Sequence, residues 1–526
     1  MAETGAFKLT YATMYDPPPE LHTRFEEEVA KIRGNLGQEY AMLIDGQDVL
    51  TKDKFENRSP INTENLLGIF QRANAEEASA AMESSQRAAK DWNRRPWQER
   101  VELVHKAADL IDERIFQFGA VIALEVGKNR MEALADAAEA ADLMRYAAQQ
   151  MEANDGFIFE LGKDPLKGYD ATNISKLKPY GVWVVISPFN FPGALTGGPT
   201  GAALVAGNTV VMKPAEDTPW TSRLLAEAFR DAGFPDGVVN FVTGRGSVAG
   251  QALVDSPHTD GLTFTGSYDV GMKLYREFAG GRYPRPIILE MGGKNPAIIS
   301  RHADLDRAVS GLYRSAFGLQ GQKCSAGSRI YIEEPVYDEL LEKLVEVTKG
   351  LKVGDPTEQD TFMGPVVNQS AYESFKGFTE ELSDAGTFLT GGKVLTKGDY
   401  GKGYFCQPTI AADVPTDHHL WQDEMFLPIT MVHKVKNLDE AMELANNVNF
   451  GLTAGFYGSE DEAKWFFENI EAGVTYANRP QGATTGAWPG FQPFGGWKAS
   501  GSSGKSAGGH HYLQLYMHEQ VNTIIR

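Results

Sequence analysis

From Gly181 onward the chain carries short, unbroken apolar runs: Val182-Trp183-Val184-Val185-Ile186, Val210-Val211-Met212, Val238-Val239-Asn240-Phe241-Val242, Leu262-Thr263-Phe264 and Ile287-Ile288-Leu289. Runs of this length without alternation predict strands covered on both faces. Helical segments lie between them. The clearest has Thr218 as N-cap, Pro219 at the first helical position and Gly233 just past the end. Strand and helix alternating at this spacing predict a parallel, doubly wound α/β sheet. Upstream, Val101, Val104, Ala108 and Ile111 recur at helical spacing within 99–114, and 131–152 reads as a second long helix. Residues 1–40 read as an acidic helical arm entered through Pro17-Pro18-Pro19.

A second alternating series runs from near Asp304 to near Asn478, with strands expected around Ile330-Tyr331-Ile332 and Leu452-Thr453-Ala454-Gly455-Phe456. A glycine-rich stretch, Gly482 to Gly509, follows. The tail from His510 to Arg526 alternates apolar and polar residues, as a half-buried strand does. No internal repeat and no low-complexity tract interrupts the series. Two α/β halves with a loop-rich seam predict a site between them.

Composition narrows the function classes. The 526 residues hold 50 Lys plus Arg against 70 Asp plus Glu, a net charge of -20 with no concentrated basic patch, which disfavours nucleic acid and anionic membranes as partners. Two cysteines, Cys324 and Cys406, rule out a disulfide framework and a cysteine-based zinc site. His510 and His511 adjoin each other and cannot face one site from a regular helix, so no metal is expected. The first residues lack a basic-then-apolar signal, and the stretch from Gly181 to Met212 is broken by Pro188, Asn190, Pro192, Pro199 and Asn208. A cytoplasmic protein is the expectation.

Cys324 sits among small and polar residues, Gly321-Gln322-Lys323-Cys324-Ser325-Ala326, the wrong neighbourhood for a core cysteine and a suitable one for a nucleophile given a base. Glu290 ends the run Ile287-Ile288-Leu289 before Met291-Gly292-Gly293-Lys294, where parallel sheets bind ligands; the alternative is a capping or solvent carboxylate. Asn190, in Ser187-Pro188-Phe189-Asn190-Phe191-Pro192, is a turn residue or a donor to a developing oxyanion. Lys213 and Glu216 follow another strand, where they serve ribose hydroxyls or simply the surface. Gly266 and Ser267, with Gly271, open a helix whose free N–H groups suit a pyrophosphate. The run Gly244-Arg245-Gly246-Ser247-Val248-Ala249 mimics a dinucleotide fingerprint but lacks a clear acidic partner about 20 positions on. Cys406 reads as a core or strand residue.

Together these pieces resemble the aldehyde dehydrogenase superfamily. The matching segments are Pro188-Phe189-Asn190-Phe191-Pro192, Lys213-Pro214-Ala215-Glu216, Phe264-Thr265-Gly266-Ser267, Leu289-Glu290-Met291-Gly292-Gly293-Lys294 and Gly321-Gln322-Lys323-Cys324, in the family's order over nearly the whole chain. Within the family, Cys324-Ser325-Ala326, Thr485-Gly486-Ala487 and Gln492-Pro493-Phe494-Gly495-Gly496 are similar to the 1-pyrroline-5-carboxylate dehydrogenases. The resemblance implies a Rossmann-type NAD-binding domain (41–161 and 180–290), an α/β catalytic domain (291–490), and a small β oligomerisation element with the C-terminal tail (162–179 and 491–526), after the 1–40 arm.

It implies NAD-dependent oxidation of L-glutamate γ-semialdehyde to L-glutamate; the competing expectation is another aliphatic or aromatic aldehyde. Cys324, Glu290 and Asn190 would be catalytic. Lys213, Glu216, Gly266, Ser267, Glu424 and Phe426 would hold NAD. Ser325, Gly486 and Ala487 would take the substrate carboxylate, Phe191 and Phe494 its methylenes, and Glu132 its ammonium. A homo-oligomer built from dimers is implied. Two departures stand out: Leu427 replaces the Gly usual before Pro428, and the loop from Arg479 to Thr485 is longer than usual.

Overall fold

The apolar runs after Gly181 lie side by side in one sheet of the computed structural model, which describes residues 16–166, 168, 170–281, 283–483 and 488–526. Its strands are β1 (Met42–Ile44), β2 (Gln47–Val49), β3 (Val182–Ile186), β4 (Thr209–Lys213), β5 (Val239–Phe241), β6 (Gly261–Thr265) and β7 (Ile287–Glu290). Among the described residues their order is β7-β6-β3-β4-β5-β1-β2. The five from β3 to β7 pair in parallel, while β1 and β2 add an antiparallel hairpin at one edge. Val182, Trp183, Val184 and Val185 are all fully buried, as an unbroken apolar run in a sheet covered on both faces must be. The order reverses between β3 and β6, the place where such a sheet opens a crevice beyond its strand ends.

The second series forms another sheet, from β8 (Asn295–Ile299), β9 (Gly327–Glu333), β10 (Thr387–Thr390), β11 (Thr409–Ala412), β12 (Ile429–Val435), β13 (Thr453–Tyr457) and β14 (Val474–Ala477). Its order is β10-β11-β12-β9-β8-β13-β14, parallel except at β10. Cys406 lies in the core beside β11, as expected.

The helix expected before Gly233 spans Pro219–Ala232, with Gly233 left-handed at its end (φ 92°). Its N-cap corrects the sequence reading. Thr218 holds that position but its side chain makes no cap bond, and its Oγ1 is buried without a partner among the described residues. Glu125, from the helix Ile115–Val126, caps instead. Its Oε1 accepts from Trp220 N–H at 2.7 Å, and its Oε2 from Thr221 N–H at 3.1 Å and the Thr221 hydroxyl at 2.8 Å.

The C-terminal tail also differs. Leu513–Tyr516 is a 3₁₀ turn with Leu513 and Tyr516 buried, and the strand begins only at Met517. The alternation there was thus two periods run together. The Met517–Ile525 strand pairs antiparallel with Ala171–Pro179, from Met517 opposite Pro179 to Ile525 opposite Ala171; Ile158–Glu160 lines the other side. Of the arm expected over 1–40, Pro19–Arg33 is helical and Gln38–Tyr40 is a strand, while 1–15 lie outside the described residues. The Gly244 run forms a π-helical turn at Gly246–Gly250 after β5, with Gly250 against the Lys213 side chain.

Candidate active site

The strand ends of the first sheet present the residues singled out for a dinucleotide. Lys213 is the last residue of β4; it is buried, and its Nζ donates to the Pro214 carbonyl at 2.8 Å. Burial lowers its pKa to about 8, against the pull of Glu216. Glu216 keeps about a third of its side chain exposed and accepts from Arg72 Nε at 3.1 Å. Arg72, which also lies 3.6 Å from Asp53, is a residue the sequence analysis missed; it follows the strand Leu66–Gln71 of another sheet and nothing local marks it. Gly266 and Ser267 follow β6, and Ser267 stands at the N-terminus of the helix Tyr268–Ala279 without capping it. The first-turn N–H groups of that helix are therefore left for an anion. These features fit a dinucleotide.

Cys324 follows a turn of unusual backbone. Leu319, Gln320 and Gly321 are successive left-handed residues, with φ of 49°, 56° and 65°. Such a run in two residues with side chains is costly, and surrounding bonds hold it. Both oxygens of Glu132 accept from Leu319 N–H, at 3.0 and 3.2 Å. Gln320 Nε2 donates to the Gly127 carbonyl at 3.0 Å, and Val367 N–H donates to Gln322 Oε1 at 3.0 Å. Gly321 admits no side chain, because a Cβ there would lie 2.2 Å from the Leu427 carbonyl oxygen. Leu427 itself is buried in the second core and is not left-handed, so the Gly expected there is not needed for the turn. Asn295, the first residue of β8, fixes the far side by donating to the carbonyls of Cys324 and Ala326, at 2.7 and 2.8 Å.

Cys324 and Glu290 open into one pocket walled by Leu143, Tyr146, Ala194, Gly198, Phe494 and Tyr512. Glu290 ends β7, and its Oε2 is buried without a hydrogen-bond partner among the described residues. Burial raises its pKa well above the ordinary carboxylate value. Burial, with Glu424 and Glu290 nearby, pushes the Cys324 thiol up to about 12. Glu424 approaches from the second half. Its Oε1 accepts from Gly293 N–H at 2.8 Å, and burial raises it to about 7. Phe426 is left-handed (φ 56°), and its ring meets Phe189 edge-on at 5.9 Å, beside Asn190.

Asn190 is buried. Phe191 packs under Lys128, whose Nζ lies 3.6 Å from the ring centroid. Lys128 is wholly buried and pairs with Asp136 at 3.0 Å, while Asp136 accepts from Ala194 N–H at 2.8 Å. This pair, which sequence reading also missed, braces the segment after Asn190. Ser325 is buried next to the nucleophile, and Gly486 and Ala487 lie outside the described residues.

The aldehyde dehydrogenase family model matches residues 48–522. The 1-pyrroline-5-carboxylate dehydrogenase of Geobacillus sp. (strain WCH70) is 41% identical over 509 residues, 95% of each chain. The 1-pyrroline-5-carboxylate dehydrogenase 1 of Halalkalibacterium halodurans is 41% identical over 508 residues, again 95% of each. Among solved structures, 1-pyrroline-5-carboxylate dehydrogenase from Thermus with bound NAD matches with a TM-score of 0.91 at 35% identity, over 99% of this chain and all of that one. Proline utilization A from Bdellovibrio bacteriovorus matches at 0.90 and 37%; 95% of this chain aligns with 51% of that longer protein.

Proposed function

This chain belongs to the aldehyde dehydrogenase family, and from that premise we propose that it oxidises L-glutamate γ-semialdehyde, which equilibrates with 1-pyrroline-5-carboxylate, to L-glutamate with NAD, a step of proline catabolism. The observation that supports this most is the single pocket shared by Cys324 and Glu290, in a chain 41% identical to enzymes of that name. A second reading, an uncharged aliphatic or aromatic aldehyde, draws on the pocket's apolar walls.

Cys324 Sγ attacks the aldehyde carbon, and its proton passes to Glu290 as the carbon–sulfur bond forms. A thiol held near 12 needs such a base. Asn190 and the Cys324 N–H donate to the resulting oxyanion. Bound NAD supplies an acceptor for the hydride that leaves as the carbonyl re-forms. Lys213, Glu216, Gly266, Ser267, Glu424 and Phe426 are the residues that would hold it. Glu290, having released its first proton to solvent, takes one from water as that water attacks the thioester. The carbon–sulfur bond then breaks, the acid leaves, and Cys324 regains a proton.

Ser325, Gly486 and Ala487 bind the α-carboxylate, and Phe191 and Phe494 pack on the methylenes. A carboxylate offers about four acceptor sites, so Glu132 can hold Leu319 and still receive the ammonium. NAD occupies the 41–161 and 180–290 domain, chemistry the 291–490 domain, and 162–179 with 491–526 pairs subunits in a homo-oligomer. No helix among the described residues is long and apolar enough to cross a membrane, and the cytoplasm is the compartment we assign. The test is NADH formation with glutamate semialdehyde and hexanal. One charge-assisted bond to the carboxylate favours the former about tenfold or more in kcat/KM. Equal values would transfer the assignment to the second reading.

A further inference from the structure

On the outer surface, away from the pocket, two adjacent histidines converge on one carboxylate. We propose that Glu381, His418 and His419 form a site for a zinc-class divalent metal, with Asp423 behind it. Neighbouring residues of a regular helix or strand point apart, the argument that set aside His510 and His511; His418 and His419 were not singled out in the sequence. Here the backbone changes direction between them. His418 is extended (φ −64°, ψ 134°) and His419 begins a 3₁₀ turn, His419–Trp421. The two rings therefore stack, with centroids 4.9 Å apart and planes 24° apart. Both Nε2 atoms face Glu381 Oε1, that of His418 at 3.3 Å and that of His419 closer. One ligand atom from each of the three residues falls within 4.8 Å of the others.

The donor set is chemically apt. Two imidazoles and a carboxylate are a common zinc environment, and three protein donors leave a fourth position for water. Tetrahedral bonds of about 2.0–2.2 Å put ligand atoms roughly 3.3–3.5 Å apart, so the His418–Glu381 separation already matches. The His419–Glu381 contact has to widen, and both side chains are exposed enough to turn. His419 Nδ1 lies 2.7 Å from Asp423 Oδ2. An outer carboxylate on that nitrogen fixes the tautomer that offers Nε2 to a metal. Binding moves two protons: His418 shifts its proton from Nε2 to Nδ1, giving up a long bond from Leu420 N–H at 3.3 Å, and His419 releases its Nε2 proton to solvent. The metal joins the helix Gln369–Ala385, which bears Glu381, to the turn that leads directly into Glu424.

The test uses the full chain with Cys324→Ala, so that the thiol captures no metal. Calorimetric titration with Zn²⁺ is expected to give one ion per chain. Glu381→Gln and His419→Ala each weaken binding about tenfold or more, and Asp423→Asn weakens it about 10–100-fold. Zn²⁺ is expected to raise the melting temperature of the parent but not of the His418→Ala/His419→Ala form, whose own folding is checked by circular dichroism. Absence of Zn²⁺ binding, with His419 merely protonated between Glu381 and Asp423, overturns the proposal. So does binding that survives Glu381→Gln and His419→Ala unchanged.

Discussion

Cys324, the nucleophile of the proposed reaction, lies in surroundings that disfavour its thiolate. Burial and the carboxylates of Glu424 and Glu290 hold the thiol near 12, so attack depends on a base that is itself shifted upward. Glu290 accepts protons only when ionised, and its pKa is raised well above the usual carboxylate range. Turnover should therefore be low at acid pH and rise as the pH climbs through that raised value. Glu290→Gln should remove the rise along with nearly all activity, by about 10²–10⁴-fold; a pH–rate profile of both proteins checks this. Cys324→Ala should abolish oxidation yet keep NAD affinity by calorimetry, since the strand-end residues stay in place. In the proposed site cofactor choice would rest on Glu216, which accepts from Arg72. A 2′-phosphate beside Glu216 meets a like charge, so NAD is preferred. Glu216→Gln should release Arg72 toward the phosphate and raise kcat/KM for NADP relative to NAD about tenfold, one charge-assisted bond's worth; Arg72→Ala should not. Cys324, Glu290, Lys213 and Glu216 drew notice in the sequence because each sits near a strand end or among small polar neighbours. Arg72 was not, because its partner is distant in sequence and only folding brings them together.

At the scale of elements, apolar runs gave the sheets correctly, because burial on both faces leaves no other pattern. End chemistry was less legible. Thr218 has the right residue type for an N-cap, but Glu125 reaches across from another helix and takes the donors. Glu125→Ala should leave these first-turn groups dry. Each buried donor left unsatisfied costs about 1–3 kcal/mol, and urea unfolding should record a loss of that order while Thr218→Ala changes little. The tail misled for a different reason: Tyr512, Leu513 and Tyr516 face inward on a helical turn, and the strand that follows them has another period. The left-handed turn at Leu319–Gly321 had only Gly321 to announce it. Leu319 and Gln320 carry ordinary side chains, and bonds from Glu132, Gly127 and Val367 hold the turn from three distant segments.

At the scale of the molecule, the doubly wound sheet brings Lys213, Gly266 and Glu290 to one edge, and the second sheet brings Cys324 and Glu424 to meet them. The sheet of Ile158–Glu160, Ala171–Pro179 and Met517–Ile525 is separate from these two. Its strand Met517–Ile525 leaves Val521, Ile524 and Ile525 more than half exposed, and Ile158 and Phe159 on the opposite edge are partly exposed. An open edge with apolar residues invites another chain. We expect light scattering at micromolar concentration to report a dimer or larger, and Val521→Asp with Ile524→Asp to shift it toward monomer. The same sheet has a further meaning in biosynthesis. Ala171–Pro179 leaves the ribosome long before Met517–Ile525, and until the later strand arrives the earlier one presents an unfilled edge to chaperones and proteases. Closing that sheet thus waits on a strand made long after its partner, and a chain that stops short of Met517, with both larger sheets complete, still carries the open edge.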